Sequence, residues 1–197
     1  EEKYLQELQL IQLIRTRTVT IPSAAVLVDD AAAISKAVQH LSTKGHSRIG
    51  YVGGETTLSS GRERFSAFMS GMQRAGLDTE PDDILTDMPT FSMGHRAAQS
   101  LIDAGNVTAM ICGGFEISNG ALNGCLEKGL RLPTDISFIG FGDPSFYRWI
   151  SGGISTIRIP VDSLAAKTAM LLDPANRSKT APPIQQILPA ELVIRNS

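Results

Sequence analysis

The chain has 197 residues, 42% of them apolar and 19% charged, with a formal net charge of −2. That length can bury a full core in one large domain or two smaller lobes, and the composition is ordinary for a globular fold. No apolar run approaches the roughly 20 residues that span a bilayer, no basic stripe is present to grip DNA phosphates, and Cys112 and Cys125 are too few and too widely spaced for a zinc site or a disulfide framework.

The opening stretch, "EEKYLQELQLIQLIRTRTVTIPS", sets Leu5, Leu8 and Ile11–Leu13 in a loose helical pattern. It lacks the basic region and apolar block of an export signal, so the expected setting is the reducing cytoplasm. "AAVLVD" reads as an apolar strand. In "DAAAISKAVQHLSTKGH" the residues Ile34, Ala37, Val38 and Leu41 recur at helical spacing, with Gly45 as the stop. "SRIGYVGG" is a short strand ending in glycines. "GRERFSAFMSGMQRAGL" puts Phe65, Phe68, Met69 and Met72 on one helical face. "DDILT" is a strand, and "SMGHRAAQSLIDAG" is a helix carrying Ala97, Ala98, Leu101 and Ile102 on one face. "VTAMICGG" is the next strand, followed by the helix "EISNGALNGCLEKG". The turn "LPTD" introduces the strand "DISFIGFG", "VDSLAAKTAMLL" is a helix, and the tail "IQQILPAELVIRNS" reads as one or two strands.

Strands that alternate with helices, and that read as nearly continuous apolar runs, predict a parallel sheet covered on both faces. Such doubly wound folds bind ligands at the carboxyl ends of their strands. Three predicted strands end in glycine: at Gly53–Gly54, at Gly113–Gly114 and at Gly142. Either the bare backbone lets a ligand approach closely, or each glycine only makes a tight turn; three together favour a shared cleft.

Catalytic patterns do not fit that cleft. "GGETTLSSG" and "CGGFEISNG" have neither the Gly-Lys-Ser/Thr ending of a phosphate loop nor the glycine spacing of a dinucleotide site. Ser118 is in no nucleophile elbow. His40, His46 and His95 have no partner at metal-ligand spacing, and each reads as a surface or hydrogen-bonded histidine. Cys112 reads as a small buried hydrophobe rather than a nucleophile. The expectation is a binding protein, not an enzyme, that uses neither metal nor cofactor.

Several segments resemble one known family. "AVQHLSTKGHSRIGYVGG", "GRERFSAF", "VTAMIC" followed by "NGALNGCLEKGLRLPTDISFIGFGD", "ISTIRIPVDSLAAKTAMLL" and "LPAELVIRNS" are similar, in order, to motifs of the LacI/GalR (lactose/galactose-repressor) family of bacterial transcription regulators. The resemblance runs from about Val26 to Ser197. It implies a periplasmic-binding-protein-like type I fold: two doubly wound parallel-sheet lobes with an effector between them, the N-terminal one incomplete. The expected lobes are 1–46 with 157–187, and 47–156 with 188–197, the chain crossing near Ser47, Ile157 and Leu188. The family's helix-turn-helix headpiece has no counterpart here, so operator DNA would be a partner only through a segment outside this sequence. A homodimer is implied, to which Met69 and Met72 contribute unless they lie in their own lobe's core. The rival reading is a periplasmic solute-binding protein, which shares the clamp.

The family's site residues carry over unevenly. Its effector-contacting arginine corresponds to Arg64, and an acidic or Asn position to Asp29 or Asp30. Phe91 lies in a loop that supplies an aromatic wall. The Asn-Asp at the end of one strand is replaced by Gly114 and Phe115, and an Asp pair by Gly142–Asp143. An arginine kept while neighbouring acids are lost points to a small organic anion held by Arg64, helped by helix amides near Glu116, in place of a sugar. Alternatively Arg64 pairs with a local acid such as Glu63 or Asp143.

Overall fold

The computed structural model describes residues 10–19, 23–173 and 184–197. Its strands are β1 (Leu10–Leu13), β2 (Ser23–Asp29), β3 (Ile49–Gly54), β4 (Ile84–Asp87), β5 (Ala109–Cys112), β6 (Ser137–Phe141), β7 (Ser155–Arg158), β8 (Gln185–Pro189) and β9 (Glu191–Val193). Its helices are α1 (Ala31–Thr43), α2 (Ser59–Arg74), α3 (Phe91–Ala104), α4 (Phe115–Glu127) and α5 (Val161–Leu172), with short 3-10 turns at Pro81–Asp83 and Ser145–Arg148. Contacts divide the chain into two compact units: Glu1–Asp29 with Pro160–Pro189, and Asp30–Ile159 with Ala190–Ser197.

The smaller unit is a parallel sheet in the order β1-β2-β8, with α5 packed against it. Here the helical reading of Ile11–Leu13 is corrected. Leu10 to Leu13 pair in register with Ser23 to Val26, so the neighbouring strand takes up their backbone hydrogen-bonding groups. Leu5 and Leu8 lie outside the described residues.

The larger unit is a six-stranded sheet in the order β4-β3-β5-β6-β7-β9, parallel except for β9, which runs antiparallel to β7. Helices α1 and α2 cover one face, where Ile34, Val38, Phe68 and Met72 pack on Ile111 and Ile139. Helices α3 and α4 cover the other with Leu101, Ile117, Leu122 and Cys125 against Met110 and Phe138. α3 and α4 pack backbone to backbone: a Cβ on Gly120 would lie 2.8 Å from the amide nitrogen of His95. α3 stops at Gly105, whose φ of 67° is the left-handed cap that glycine adopts at least cost.

Two expectations change here. The resemblance puts residues 30–46 in the first lobe, but α1 belongs to the larger unit, because its apolar stripe of Ile34, Ala37, Val38 and Leu41 is buried in the same cluster as Ile49, Tyr51 and Phe68. Met72 is 1% exposed and lies in its own unit's core, whereas Met69 packs against that core while remaining partly exposed. At the amino end of the sheet His46 bridges two strands. Nδ1 lies 2.9 Å from Thr108 Oγ1 and Nε2 3.0 Å from Ser137 Oγ.

Candidate functional site

Strand order reverses between β3 and β5. β3 leads into α2 on one face and β5 into α4 on the other, which opens a crevice at their carboxyl ends. Arg64 reaches the rim of that crevice from the second turn of α2 and is only 6% exposed. Its Nε donates to Asp30 Oδ2 at 2.5 Å and its Nη1 to the Gly113 carbonyl at 3.1 Å. The guanidinium carbon sits 4.1 Å from the centroid of the Phe141 ring, a cation–π stack. Asp30 occupies the N-cap position of α1 but makes no capping hydrogen bond with its side chain, which turns to Arg64 instead. The structure therefore joins two of the predicted site residues in a buried ion pair of zero net charge.

Asp143 is employed elsewhere. Arg195 Nη2 lies 2.8 Å from Asp143 Oδ1 and donates to Oδ2 at 2.9 Å, while Arg195 Nη1 donates to the Ile154 carbonyl at 2.7 Å. Arg158 Nη1 stands 4.0 Å from the same carboxylate. Asp143 thus ties the tail to the ends of β6 and β7, and neither it nor Glu63 is the acid that holds Arg64.

The glycines at the strand ends answer to neighbouring rings of the chain itself. Tyr51 and Gly53 point to the same face of β3, two residues apart. A Cβ on Gly53 would lie 2.7 Å from the Tyr51 hydroxyl, and one on Gly113 would also overlap that hydroxyl. The Tyr51 ring stacks on Phe68 with centroids 4.8 Å apart. Its buried hydroxyl has no hydrogen-bond partner among the described residues, and burial raises its pKa well above the usual tyrosine value. Gly142 has a φ of 83°, and a Cβ there would lie 2.6 Å from Phe115 Cδ2. Gly142 therefore leaves room for Phe115, whose ring is half-exposed at the start of α4. Gly114 differs. Its extended φ of −176° suits any residue, and a Cβ would lie 3.2 Å from Cδ1 of the buried Ile117.

Phe91 is not brought to this group. It begins α3, stacks on His95 with centroids 6.5 Å apart, and lines a separate surface cavity of about 250 Å³. His95 Nε2 and Glu127 Oε2 are 2.7 Å apart beside it.

Neither possible nucleophile is poised for chemistry. Ser118 Oγ is 2.5 Å from the Tyr147 hydroxyl and accepts from the Phe141 amide at 3.0 Å, in a fully buried network. Burial pushes the Cys112 thiol pKa up and that of Cys125 up to about 12, which disfavours thiolate at neutral pH. Among the described residues no group of three His, Cys, Asp or Glu side chains could hold a metal, and no helix is long and apolar enough to cross a membrane.

Sequence reasoning missed three residues that shape the site: Tyr51, Phe141 and Arg195. Tyr51 left a usable signal, a large ring two positions before a glycine on an apolar strand. Phe141 and Arg195 left none, because a strand aromatic and a tail arginine are unremarkable until the chain is folded.

With this geometry in view, the class is defined by a match over residues 38–197 to the periplasmic binding protein-like domain, the family to which this chain belongs. Its relatives place it more narrowly, as a LacI/GalR-type effector-binding domain. The chain is 27% identical to the HTH-type transcriptional regulator GalR of Escherichia coli K12 over 173 residues, 87% of this chain and 50% of that protein. It is 28% identical to the E. coli K12 repressor CytR, over 87% of this chain and 51% of CytR. In fold it is similar to a ribose-bound LacI family regulator from Enterococcus faecium, with a TM-score of 0.82 and 24% identity over 96% of this chain and 70% of that one. The chain spans about half the length of the curated relatives it matches.

Proposed function

We propose that this chain senses a small molecule for a transcription regulator, and that the molecule is neutral and rich in hydroxyls, a sugar, held at the carboxyl ends of β3, β5 and β6. The observation that carries this is the Arg64–Asp30 pair. For an arriving carboxylate the attraction of Arg64 is offset by the repulsion of Asp30 beside it, whereas a sugar hydroxyl can accept from the first and donate to the second. The small organic anion expected from the sequence becomes the weaker candidate. Phe115, seated against Gly142, presents an apolar surface beside these polar groups. The ribose in the E. faecium relative supports a sugar as the ligand class.

In this reading the domain catalyses nothing. Ligand binding favours one of its conformations, and through a homodimer and a DNA-binding segment outside this sequence it shifts operator affinity by the difference in ligand affinity between states. Calorimetric titration with matched panels of neutral pentoses and hexoses and of small organic acids tests it. Binding of a neutral sugar that disappears in Arg64→Met is the expected result, and tight binding of an acid with no neutral sugar binding refutes it.

A further inference from the structure

Helices α1 and α2 run side by side, as the pairs Asp30–Arg64 and Ser35–Arg74 show, and leave between them an open groove of about 740 Å³ within the larger unit. One rim is a row at four-residue spacing along α2: Arg62, Ser66, Ser70 and Arg74. Lys36 lines the other side from α1, and small residues such as Ala32 and Ala67 lie between them. Three cations thus face one carboxylate, that of Glu63, on a chain whose net charge is −2. Among the described residues no salt bridge neutralises Lys36, Arg62 or Arg74. Two of them are nevertheless held in place: Arg74 Nη2 donates to Ser35 Oγ at 2.6 Å across the groove, and Arg62 Nη1 to the Thr56 carbonyl at 3.3 Å.

We propose that this groove docks an acidic helical segment of a protein partner. Charge complementarity sets the sign of the partner, and length sets its kind. Arg62 and Arg74 stand three turns apart on α2, about 18 Å, which is too far for one small anion to bridge but matches carboxylates on a helix of similar length. Alanine and serine between the cations let a third backbone come close, as helix-in-groove recognition requires. The groove lies on the outer side of α1 and α2 and shares no residue with the Arg64–Asp30 pair, so it does not depend on the ligand assigned to that pair.

The test uses the full chain and a fluorescein-labelled, alanine-rich helical peptide of about 18 residues with glutamates along one face, together with its lysine counterpart. Fluorescence anisotropy at low salt is expected to show binding of the glutamate peptide alone. The triple variant Lys36→Glu, Arg62→Glu, Arg74→Glu should weaken that binding at least about tenfold, while Arg148→Glu, an exposed cation outside the groove, leaves it unchanged. Circular dichroism of both variants should match the parent. Equal binding of both peptides, no binding of either, an unaltered triple variant, an equal loss in Arg148→Glu, or light scattering that gives a dimer for the parent and a monomer for the triple variant, which would assign the groove to a second copy of the chain, would each overturn the proposal.

Discussion

Asp30→Asn separates the two roles of the Arg64–Asp30 pair. Both side chains are almost fully buried, 7% exposed for Arg64 and 6% for Asp30, and their contact is a single Nε–Oδ2 bond of 2.5 Å. Removing one charge from a buried pair costs about 3–5 kcal/mol, because the other is stranded. Asparagine keeps an oxygen that can accept from Nε, so the lower end, about 3 kcal/mol, is expected. For a chain of this size that lowers the melting temperature by about 6–12 °C, readable by differential scanning calorimetry. Asp30→Asn combined with Arg64→Met should recover much of the loss, since no lone charge remains in the crevice. Ligand preference should shift in parallel. With Asp30 neutralised Arg64 is unbalanced, so titrations should show weaker binding of the neutral sugar and new binding of small carboxylates. A melting temperature unchanged by Asp30→Asn, or a preference for acids already present in the parent and abolished by the variant, would show that Asp30 does not balance Arg64.

Tyr51→Phe deletes a buried hydroxyl with no partner among the described residues, so urea unfolding should show it neutral or more stable by about 1 kcal/mol. Gly113→Ala places a methyl on that hydroxyl and should cost about 2–3 kcal/mol, part of which Tyr51→Phe restores in the double variant. Gly114→Asn keeps an extended backbone but sets its Cβ 3.2 Å from the buried Ile117 Cδ1, so urea unfolding should show a cost of about 1 kcal/mol, offset in part by the N-cap preference for asparagine, and the new polar side chain beside the ligand should change sugar affinity. His46 has its pKa lowered, first by desolvation and then by the charge of His40. The unfolded chain therefore binds the proton more readily, and the stability that His46 contributes is present above the ordinary histidine value of about 6.5 and lost as pH falls through the lower folded value. His46→Gln should flatten that part of the pH–stability profile measured by urea unfolding.

Most elements were legible from period or from context. The recurrence of Ile34, Ala37, Val38 and Leu41 is helical in its own right, while the short apolar run Ala109–Cys112 is marked as a strand by its place between two helical stretches and by the glycines that end it, and the structure has a helix and a strand there. β1 was not legible: four residues cannot establish a period, and their strand character comes from β2. Nor was the allegiance of α1, since a stripe says that a helix is buried without saying against what. At the site, Arg64 and Asp30 could be named separately, but the sequence does not reveal that two residues 34 positions apart cancel each other's charge. The glycines show the same limit. Gly53, Gly113 and Gly142 lack side chains to make room for Tyr51 and Phe115 of this chain, which spacing alone does not distinguish from making room for a ligand.

The most direct measurement is an amide and guanidinium nitrogen–proton correlation spectrum recorded while a panel of neutral sugars is titrated in, with the proton spectrum of each sugar followed in the same tube. One sugar should produce saturable shifts greatest at Arg64 Nε and the amides of Gly113, Gly114 and Phe115, and should remain chemically unchanged. Shifts that avoid those groups, or conversion of the sugar into a product, would contradict a non-catalytic sugar site at these strand ends.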